Sequence, residues 1–415
     1  MKSTSYSIIE TISRHRQEFL GFRELPYWKR TQEKTLADAL DSTLIKVVLG
    51  PRRAGKSRLI QHALQGREVG YINFEEEQFI GLSADQIIDA AIQVYPVATH
   101  WYFDEVQMFP RWETVLNKLQ RRGFNLTVTG SNAKLLSSEI TTALTGRHVA
   151  IELLPFSYGE VLAAKNDHRS WSTFQHYLER GGYPEVILDT PIDFKSYLRA
   201  LFDSTVLTDL VTRRSVRNPQ YLRNTLSIIV NNVTARTSAR SISKALNGIP
   251  SAVTVEKYIA FGQEAYLVET TRPFSSKTKE RIQGERKPYL IDTGFLTALT
   301  SGVMPVLGKQ LENSVYLELR RRGLKNDLSL FHYRPAGELE IDFIVRDSHE
   351  TTELIQVCLE MTSMEAKARE VRALSTASQA HPQAQLTIVT ANEAGSLETS
   401  TGKKIQIVPA YDFCR

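Results

Sequence analysis

Gly50-Pro51-Arg52-Arg53-Ala54-Gly55-Lys56-Ser57 decides how this chain folds. It reads Gly-x-x-x-x-Gly-Lys-Ser, the pattern of a phosphate-binding loop. The run Leu44 to Leu49 before it is apolar and β-branched and predicts a buried strand; Arg58 to Gln65 after it predicts a helix stopped by Gly66. Glycines at positions 50 and 55 let backbone N–H groups turn toward phosphate oxygens. The new helix adds the positive end of its dipole. Lys56 is placed to reach the β- and γ-phosphates, and the Ser57 hydroxyl suits Mg²⁺. The candidate nucleotide-binding residues are therefore Gly50, Pro51, Arg52, Arg53, Ala54, Gly55, Lys56, Ser57 and Arg58.

Downstream of the loop, strands and helices alternate. Val69 to Phe74 reads as a strand, Ser83 as the N-cap of a helix to Val94, and His100 to Phe103 as a strand running into Asp104-Glu105. A helix follows at about Arg111 to Arg122, then strands at Leu126 to Thr129 and His148 to Leu153. Repeated units of this length predict a parallel sheet with helices on both faces. An aromatic strand that delivers two acids after a phosphate loop has the form of a Walker B element. Asp104 is the candidate Mg²⁺ ligand alongside Ser57, and Glu105 the candidate general base that polarises water. Asn132, just past the next strand, is placed to orient that water or sense the γ-phosphate, with Thr129 and Ser131 as weaker candidates. Arg147 has two open readings, an arginine finger or a surface arginine before a strand.

Composition bounds the rest. A chain of 415 residues calls for two to three domains. Hydrophobic residues make up 42% and charged residues 23%, as in a soluble globular protein. There is no run long enough for a membrane span and no signal-peptide pattern, which points to the cytoplasm. The two cysteines, Cys358 and Cys414, form no zinc or redox motif. A formal net charge of +5 permits nucleic-acid contact without requiring it.

Residues 1–43 read as a helical extension. Tyr27 and Trp28, beside Lys29 and Arg30, are packed aromatics or base-stacking ones. Beyond Leu154 helical segments run to Arg214, interrupted by the turn Arg180-Gly181-Gly182-Tyr183-Pro184-Glu185. Helical pieces at Tyr221 to Val233, Ser238 to Leu246 and Val253 to Ala265, with a turn at Asn247-Gly248-Ile249-Pro250, suggest a winged helix whose wing begins at Tyr266. Two stretches are basic. Arg213, Arg214, Arg217, Arg223, Arg236 and Arg240 form one; Arg272, Lys277, Lys279, Arg281, Arg286 and Lys287 form the other. They read as phosphate contacts to DNA or as solvated faces.

From Lys287 the pattern returns to mixed α/β. Glu312 falls on a predicted helix (Leu311 to Arg322), Asp342 on a predicted strand, and Gln356-Val357-Cys358 on the next. Metal-dependent nucleases of the restriction-endonuclease fold hold Mg²⁺ with an acid on a helix, an acid on a strand, and an acid-x-Lys on the next strand. Here Gln356 is a poor Mg²⁺ ligand and Cys358 cannot supply a lysine's charge. The expectation is a nuclease-like fold with a degenerate second metal site at Glu312, Asp342 and Gln356, and Glu338, Glu340 and Glu353 as nearby acids.

These motifs resemble the bacterial and archaeal P-loop ATPases, AAA-like or STAND-like, that carry a winged-helix region and a C-terminal domain of nuclease-like fold. The resemblance is carried by the loop itself, by Tyr102-Phe103-Asp104-Glu105-Val106-Gln107, Thr129-Gly130-Ser131-Asn132 and Leu144-Thr145-Gly146-Arg147. It continues through Leu154-Pro155-Phe156-Ser157, Gly181 to Glu185, Ile291-Asp292-Thr293-Gly294, Glu312-Asn313, Glu340 to Phe343 and Leu354 to Cys358. It implies ATP as nucleotide, and a sheet in which the strand ending at Thr129 separates the loop strand from the Walker B strand. It also implies that Gln-x-Cys is usual in the third nuclease element, which favours binding over cleavage there. Ser57 stands where many members have Thr.

The expected fold class is α/β: a P-loop NTPase parallel-sheet domain, a helical and winged-helix middle region, and a C-terminal α/β nuclease-like domain. The expected domains are an extension at 1–43, the ATPase core at 44–154, a lid and winged-helix region at 155–286, and the nuclease-like domain at 287–415. The expected activity is a Mg²⁺-dependent ATPase acting as a switch, with Glu105, Lys56, Asn132 and Arg147 as its catalytic set. Its expected partners are DNA, another protein or further copies of itself, with no membrane. An ATP-gated nuclease using Glu312 and Asp342, and a non-enzymatic DNA-binding regulator, are the alternatives.

Overall fold

The structure, a computed structural model, describes residues 2–133, 144, 146–188, 192–212, 214–275, 277–300, 306–347 and 350–414. Arg213 and Thr145 lie outside the described residues. The chain divides into two compact units, Met1–Leu154 and Pro155–Arg415.

The first unit is a five-stranded sheet. Its strands are β1 (Ile45–Leu49), β2 (Val69–Asn73), β3 (His100–Asp104), β4 (Asn125–Gly130) and β5 (His148–Glu152), in spatial order β2-β3-β4-β1-β5. Every neighbouring pair is parallel. All five residues of β1 and of β3 are buried, as a sheet covered on both faces requires. The covering helices are α1 (Lys2–Gly21), α2 (Glu33–Leu40), α3 (Lys56–Ala63), α4 (Ala84–Val94) and α5 (Trp112–Arg121). Ser83 caps α4 in a reciprocal box with Gln86, as its sequence position predicts. β4 lies between β1 and β3, so the strand ending near Thr129 does separate the loop strand from the strand that carries the two acids. This is the P-loop NTPase sheet. The extension at 1–43 packs into the same core, with Ile8, Ile12 and Phe19 among its buried residues.

The second unit begins with helices and ends in a sheet. Helices Pro219–Asn231, Ala239–Ala245 and Ala252–Glu264 lead into an antiparallel pair, β6 (Val268–Thr271) with β7 (Lys287–Leu290). Ser238 and Ser251 cap the second and third of these helices. β7 opens the stretch expected to begin the C-terminal domain, yet it pairs with β6 across the 286/287 boundary. Helix Leu307–Arg321 then precedes a six-stranded mixed sheet, β8 (Leu330–Tyr333), β9 (Ile341–Arg346), β10 (Thr351–Cys358), β11 (Gln385–Thr390), β12 (Gly395–Glu398) and β13 (Lys404–Pro409), ordered β12-β13-β11-β10-β9-β8. The hairpin β12–β13 extends the layout past β11, the last strand that the apolar runs predict. β12 is Gly-Ser-Leu-Glu at the sheet edge, too polar for an apolar-run test to find.

Two motifs that had no assigned task in the sequence meet here. Asp292 is buried and accepts the N–H groups of Gly182 (2.7 Å) and Gly294 (2.9 Å), one on each oxygen. A Cβ on Gly181, which sits at φ +79°, would lie 1.8 Å from Asp292 Oδ1. The glycines therefore let two backbone turns close around one carboxylate. Burial pushes that carboxyl up to about 6, against the two N–H donors that favour its charge.

Candidate nucleotide-binding site

The loop between β1 and α3 is shaped by its glycines. Gly50 has φ +152° and Gly55 φ +93°, with Arg53 also in the left-handed region at φ +62°. A Cβ at Gly50 would sit 2.0 Å from the Leu153 carbonyl oxygen. The close approach of the loop to the end of β5 thus excludes any side chain there.

Lys56, at the start of α3, is 6% exposed. Its Nζ donates to the carbonyls of Gly50 (3.0 Å) and Pro51 (2.9 Å), and lies 4.0 Å from Glu105 Oε1. Ser57 Oγ donates to Asp104 Oδ2 at 3.1 Å. Asp104 also accepts from the Tyr71 hydroxyl (3.3 Å) and from Thr129 Oγ1. Thr129 Oγ1 accepts the Glu105 backbone N–H at 2.8 Å, so one hydroxyl ties both acids to β4. Glu105 has φ +49°, which turns its side chain back over the strand end. There its carboxylate accepts from Ser131 Oγ (3.0 Å) and Gln107 Nε2.

The two acids are pushed in opposite directions. Burial and then the Glu105 charge raise the Asp104 carboxyl above its ordinary range. Burial alone would raise Glu105 too, but the Lys56 ammonium, Gln107, Arg52 and Ser131 reverse that and hold it below its usual value. A divalent cation at Ser57 and Asp104 would relieve the first carboxylate. The second is kept ionised, the state a general base needs. The donor set (one hydroxyl, one carboxylate at a strand tip, a lysine and loop N–H groups) suits a Mg²⁺-bound polyphosphate.

The other expected residues fall as follows. Arg52 pairs with Glu75 at 3.1 Å, beside the acids. Arg58 donates its guanidinium to the carbonyls of Phe22, Leu25 (2.7 Å) and Pro26 (3.0 Å), so that side chain fastens the residues after α1 to α3. Asn132 is half-buried two residues past β4. Arg147 is exposed, and its carbonyl accepts the Ile45 N–H at the start of β1. Tyr27 stacks on His62 of α3 at 3.8 Å.

Four neighbours were not assigned from sequence. Tyr71 and Gln107 contact the two acids, and Glu75 faces Arg52. Arg30 is 4% exposed and forks onto the carbonyls of Ala54 (2.8 Å) and Leu154 (2.6 Å), bracing the loop from below. Gln107 lay in plain view, two residues after Glu105. Arg30 gave no signal beyond standing next to aromatics.

The second candidate site also forms a cluster. Glu312 of helix Leu307–Arg321 and Asp342 of β9 converge, but on Lys287 of β7. Gln356 uses both ends of its amide on backbone at the start of β9: its oxygen accepts the Asp342 N–H (3.1 Å) and its nitrogen donates to the carbonyl of Glu340, the residue before the strand (3.1 Å). Among the described residues, no group of three or more His, Cys, Asp or Glu is disposed to hold a metal ion.

The basic stretches are largely paired within the fold. Arg214 bonds Glu264, Arg223 bonds Asp203 (2.6 Å), Arg272 bonds Asp327 (3.1 Å) and Arg286 bonds Glu256 (2.6 Å). Arg236 bonds Glu340 (3.0 Å) and Lys277 bonds Glu280 (2.9 Å). Among the described residues, no helix is long and apolar enough to cross a membrane.

An AAA domain model matches residues 42–162. Two models described as domains of unknown function match 172–305 (DUF8612) and 307–413 (DUF4143). The chain is 31% identical over 395 residues to an uncharacterized protein of Methanocaldococcus jannaschii, covering 89% of this chain and 88% of that one. It is 31% identical over 343 residues to an uncharacterized protein of Haemophilus influenzae, covering 77% and 84%. Among solved structures it is similar to a Walker-type ATPase of Pyrococcus abyssi, with 17% identity, TM-score 0.45, and coverage of 66% of this chain and 96% of that chain. It is also similar to Cdc6p of Pyrobaculum aerophilum, with 13% identity, TM-score 0.26, and coverage of 62% and 92%.

Proposed function

The chain belongs to one family with the uncharacterized proteins of Methanocaldococcus jannaschii and Haemophilus influenzae and carries an AAA domain at residues 42–162, and from that premise we propose that it binds ATP with Mg²⁺ and hydrolyses it. What carries the proposal is the meeting of Ser57 with Asp104 at 3.1 Å and of Lys56 with Glu105 at 4.0 Å at the mouth of one loop. In it, the loop N–H groups of residues 52–57 and the start of α3 take the phosphates, with Lys56 moving from the Gly50 and Pro51 carbonyls to the β- and γ-oxygens. Ser57 and Asp104 hold Mg²⁺. Glu105 orients and deprotonates the attacking water, with Asn132 beside it. Arg147 supplies positive charge to the γ-phosphate, from its own or a neighbouring subunit.

Hydrolysis acts as a switch. When Lys56 leaves Glu105 for phosphate, the base is freed only in the nucleotide-bound state. The output surface is the three-helix segment with its β6–β7 hairpin, read as a winged helix, together with the C-terminal sheet, read as nuclease-like. We assign its partner to a protein, another copy included, rather than to a duplex, because most of the arginines that would meet phosphates are already paired with acids. Arg217, Arg240, Lys257 and Lys279 remain exposed and are where DNA contact would have to be carried.

The direct test is ATP turnover with Mg²⁺ by the intact chain and by Lys56→Ala. Turnover that falls at least about 100-fold in the variant supports the assignment. Equal turnover by both proteins removes it.

A further inference from the structure

The cluster at Glu312 and Asp342 is organised around a cation that the chain itself provides. Lys287 Nζ lies 2.7 Å from Asp342 Oδ1, 2.9 Å from Glu312 Oε1 and 3.0 Å from Glu340 Oε1, and the side chain is 3% exposed. An ammonium has three N–H donors; Lys287 donates one to Asp342, and the Glu312 and Glu340 carboxylates pair with the same charge. The carboxylates are fixed in turn. Asp342 accepts the Val357 N–H (2.9 Å), Glu312 accepts the Tyr289 hydroxyl (3.0 Å) and Glu340 pairs with Arg236 (3.0 Å). Gln356, on the third element, pins the backbone between Glu340 and Asp342.

The dimensions are those of an ammonium. Mg²⁺ draws oxygens to about 2.0–2.1 Å in an octahedral shell. Here the oxygens stand off at 2.7–3.0 Å, around a centre already filled by a covalently attached charge. A lysine buried this deeply is strongly disfavoured without such partners, and three carboxylates left together are disfavoured without such a cation. Burial alone would lower the Lys287 ammonium, and Asp342 and Glu312 more than reverse that.

We propose that Lys287 is an internal cation standing where a divalent metal would stand among Glu312, Glu340 and Asp342. The cluster then serves as a clasp. It holds β7, and with it the β6–β7 hairpin, onto helix Leu307–Arg321 and β9. The intact protein neither takes a metal there nor cuts nucleic acid there. The lysine that the third strand lacks at Cys358 is present in space, supplied from a strand earlier in the chain, and it fills the metal position rather than flanking it.

The test counts bound Mn²⁺ by electron paramagnetic resonance, without nucleotide. All proteins carry Asp104→Asn, so that the loop site is silent. The clasp predicts no Mn²⁺ held by that parent at the second site. Adding Lys287→Met should create a site binding Mn²⁺ at least about tenfold more tightly than the parent does. Adding Asp342→Asn to that should abolish it. A parent that binds Mn²⁺ and loses it on Asp342→Asn overturns the proposal, and this arm needs no Lys287 variant to fold. A Lys287→Met protein that is folded by circular dichroism yet binds no more Mn²⁺ than the parent also overturns it. Either result leaves ATP turnover at Lys56 and Glu105 untouched as a question.

Discussion

Ser57 Oγ lies 3.1 Å from Asp104 Oδ2, so the hydroxyl that ends the phosphate loop and the carboxylate at the tip of β3 already meet. They stand 47 residues apart in the chain, and β4 lies between their strands. The groups that would share one Mg²⁺ are thus set by sheet topology rather than by the ion.

Thr129 is the residue that fixes this pairing from the side. Its hydroxyl donates to Asp104 and accepts the Glu105 N–H at 2.8 Å. Thr129→Val keeps the shape and removes both bonds. We expect turnover to fall by about 10–100-fold, as for loss of a partner behind a metal ligand, with a higher Mg²⁺ requirement. A Mg²⁺ titration of ATPase rate measures it; an unchanged curve denies Thr129 this role.

Gly50 tolerates no side chain. At φ +152°, a methyl carbon added there would sit 2.0 Å from the Leu153 carbonyl oxygen, so Gly50→Ala must move β5 or the loop. A loss of about 1–3 kcal/mol or more is expected in urea unfolding of the first unit, with weakened ATP binding. Wild-type stability would mean the loop adapts without strain.

Asp292 gives a pH signature. Burial raises its folded carboxyl from 3.8 to about 6, so the folded state holds the proton more tightly than the unfolded state. Its contribution is full below pH 3.8 and is lost as the pH rises through about 6, a change on the order of 3 kcal/mol. Asp292→Asn removes that slope between pH 4 and 6. It also turns an amide N–H₂ toward one of the Gly182 and Gly294 donors, costing about 1–3 kcal/mol at pH 7. Urea midpoints of both proteins across that range check both effects; parallel curves would exclude the titration.

The sequence made the first unit readable because its signals are local. A phosphate loop, an aromatic strand ending in two acids, and strands buried on both faces leave apolar runs that can be counted. What stayed hidden depends on contacts far along the chain. Arg30 braces the loop at Ala54 and Leu154, 24 and 124 residues away, and no spacing rule links them. Glu312, Asp342 and Gln356 were visible as an acid-acid-glutamine series, yet the lysine among them comes from β7 in a stretch that read as a basic surface. Charge runs in a sequence do not reveal their partners, and the pairing of Arg214, Arg223 and Arg286 with acids is a tertiary fact. β12 escaped because its four residues carry little hydrophobic pattern.

Hydrolysis depends on the Glu105 carboxylate, and a variant there separates nucleotide binding from the chemical step. Glu105→Gln keeps the shape and the contacts to Ser131 and Gln107 while removing the base. ATP hydrolysis at this site predicts that the variant binds a fluorescent ATP analogue within about threefold of wild type and turns ATP over at least about 100-fold more slowly. Hydrolysis by Glu105→Gln at the wild-type rate would contradict it.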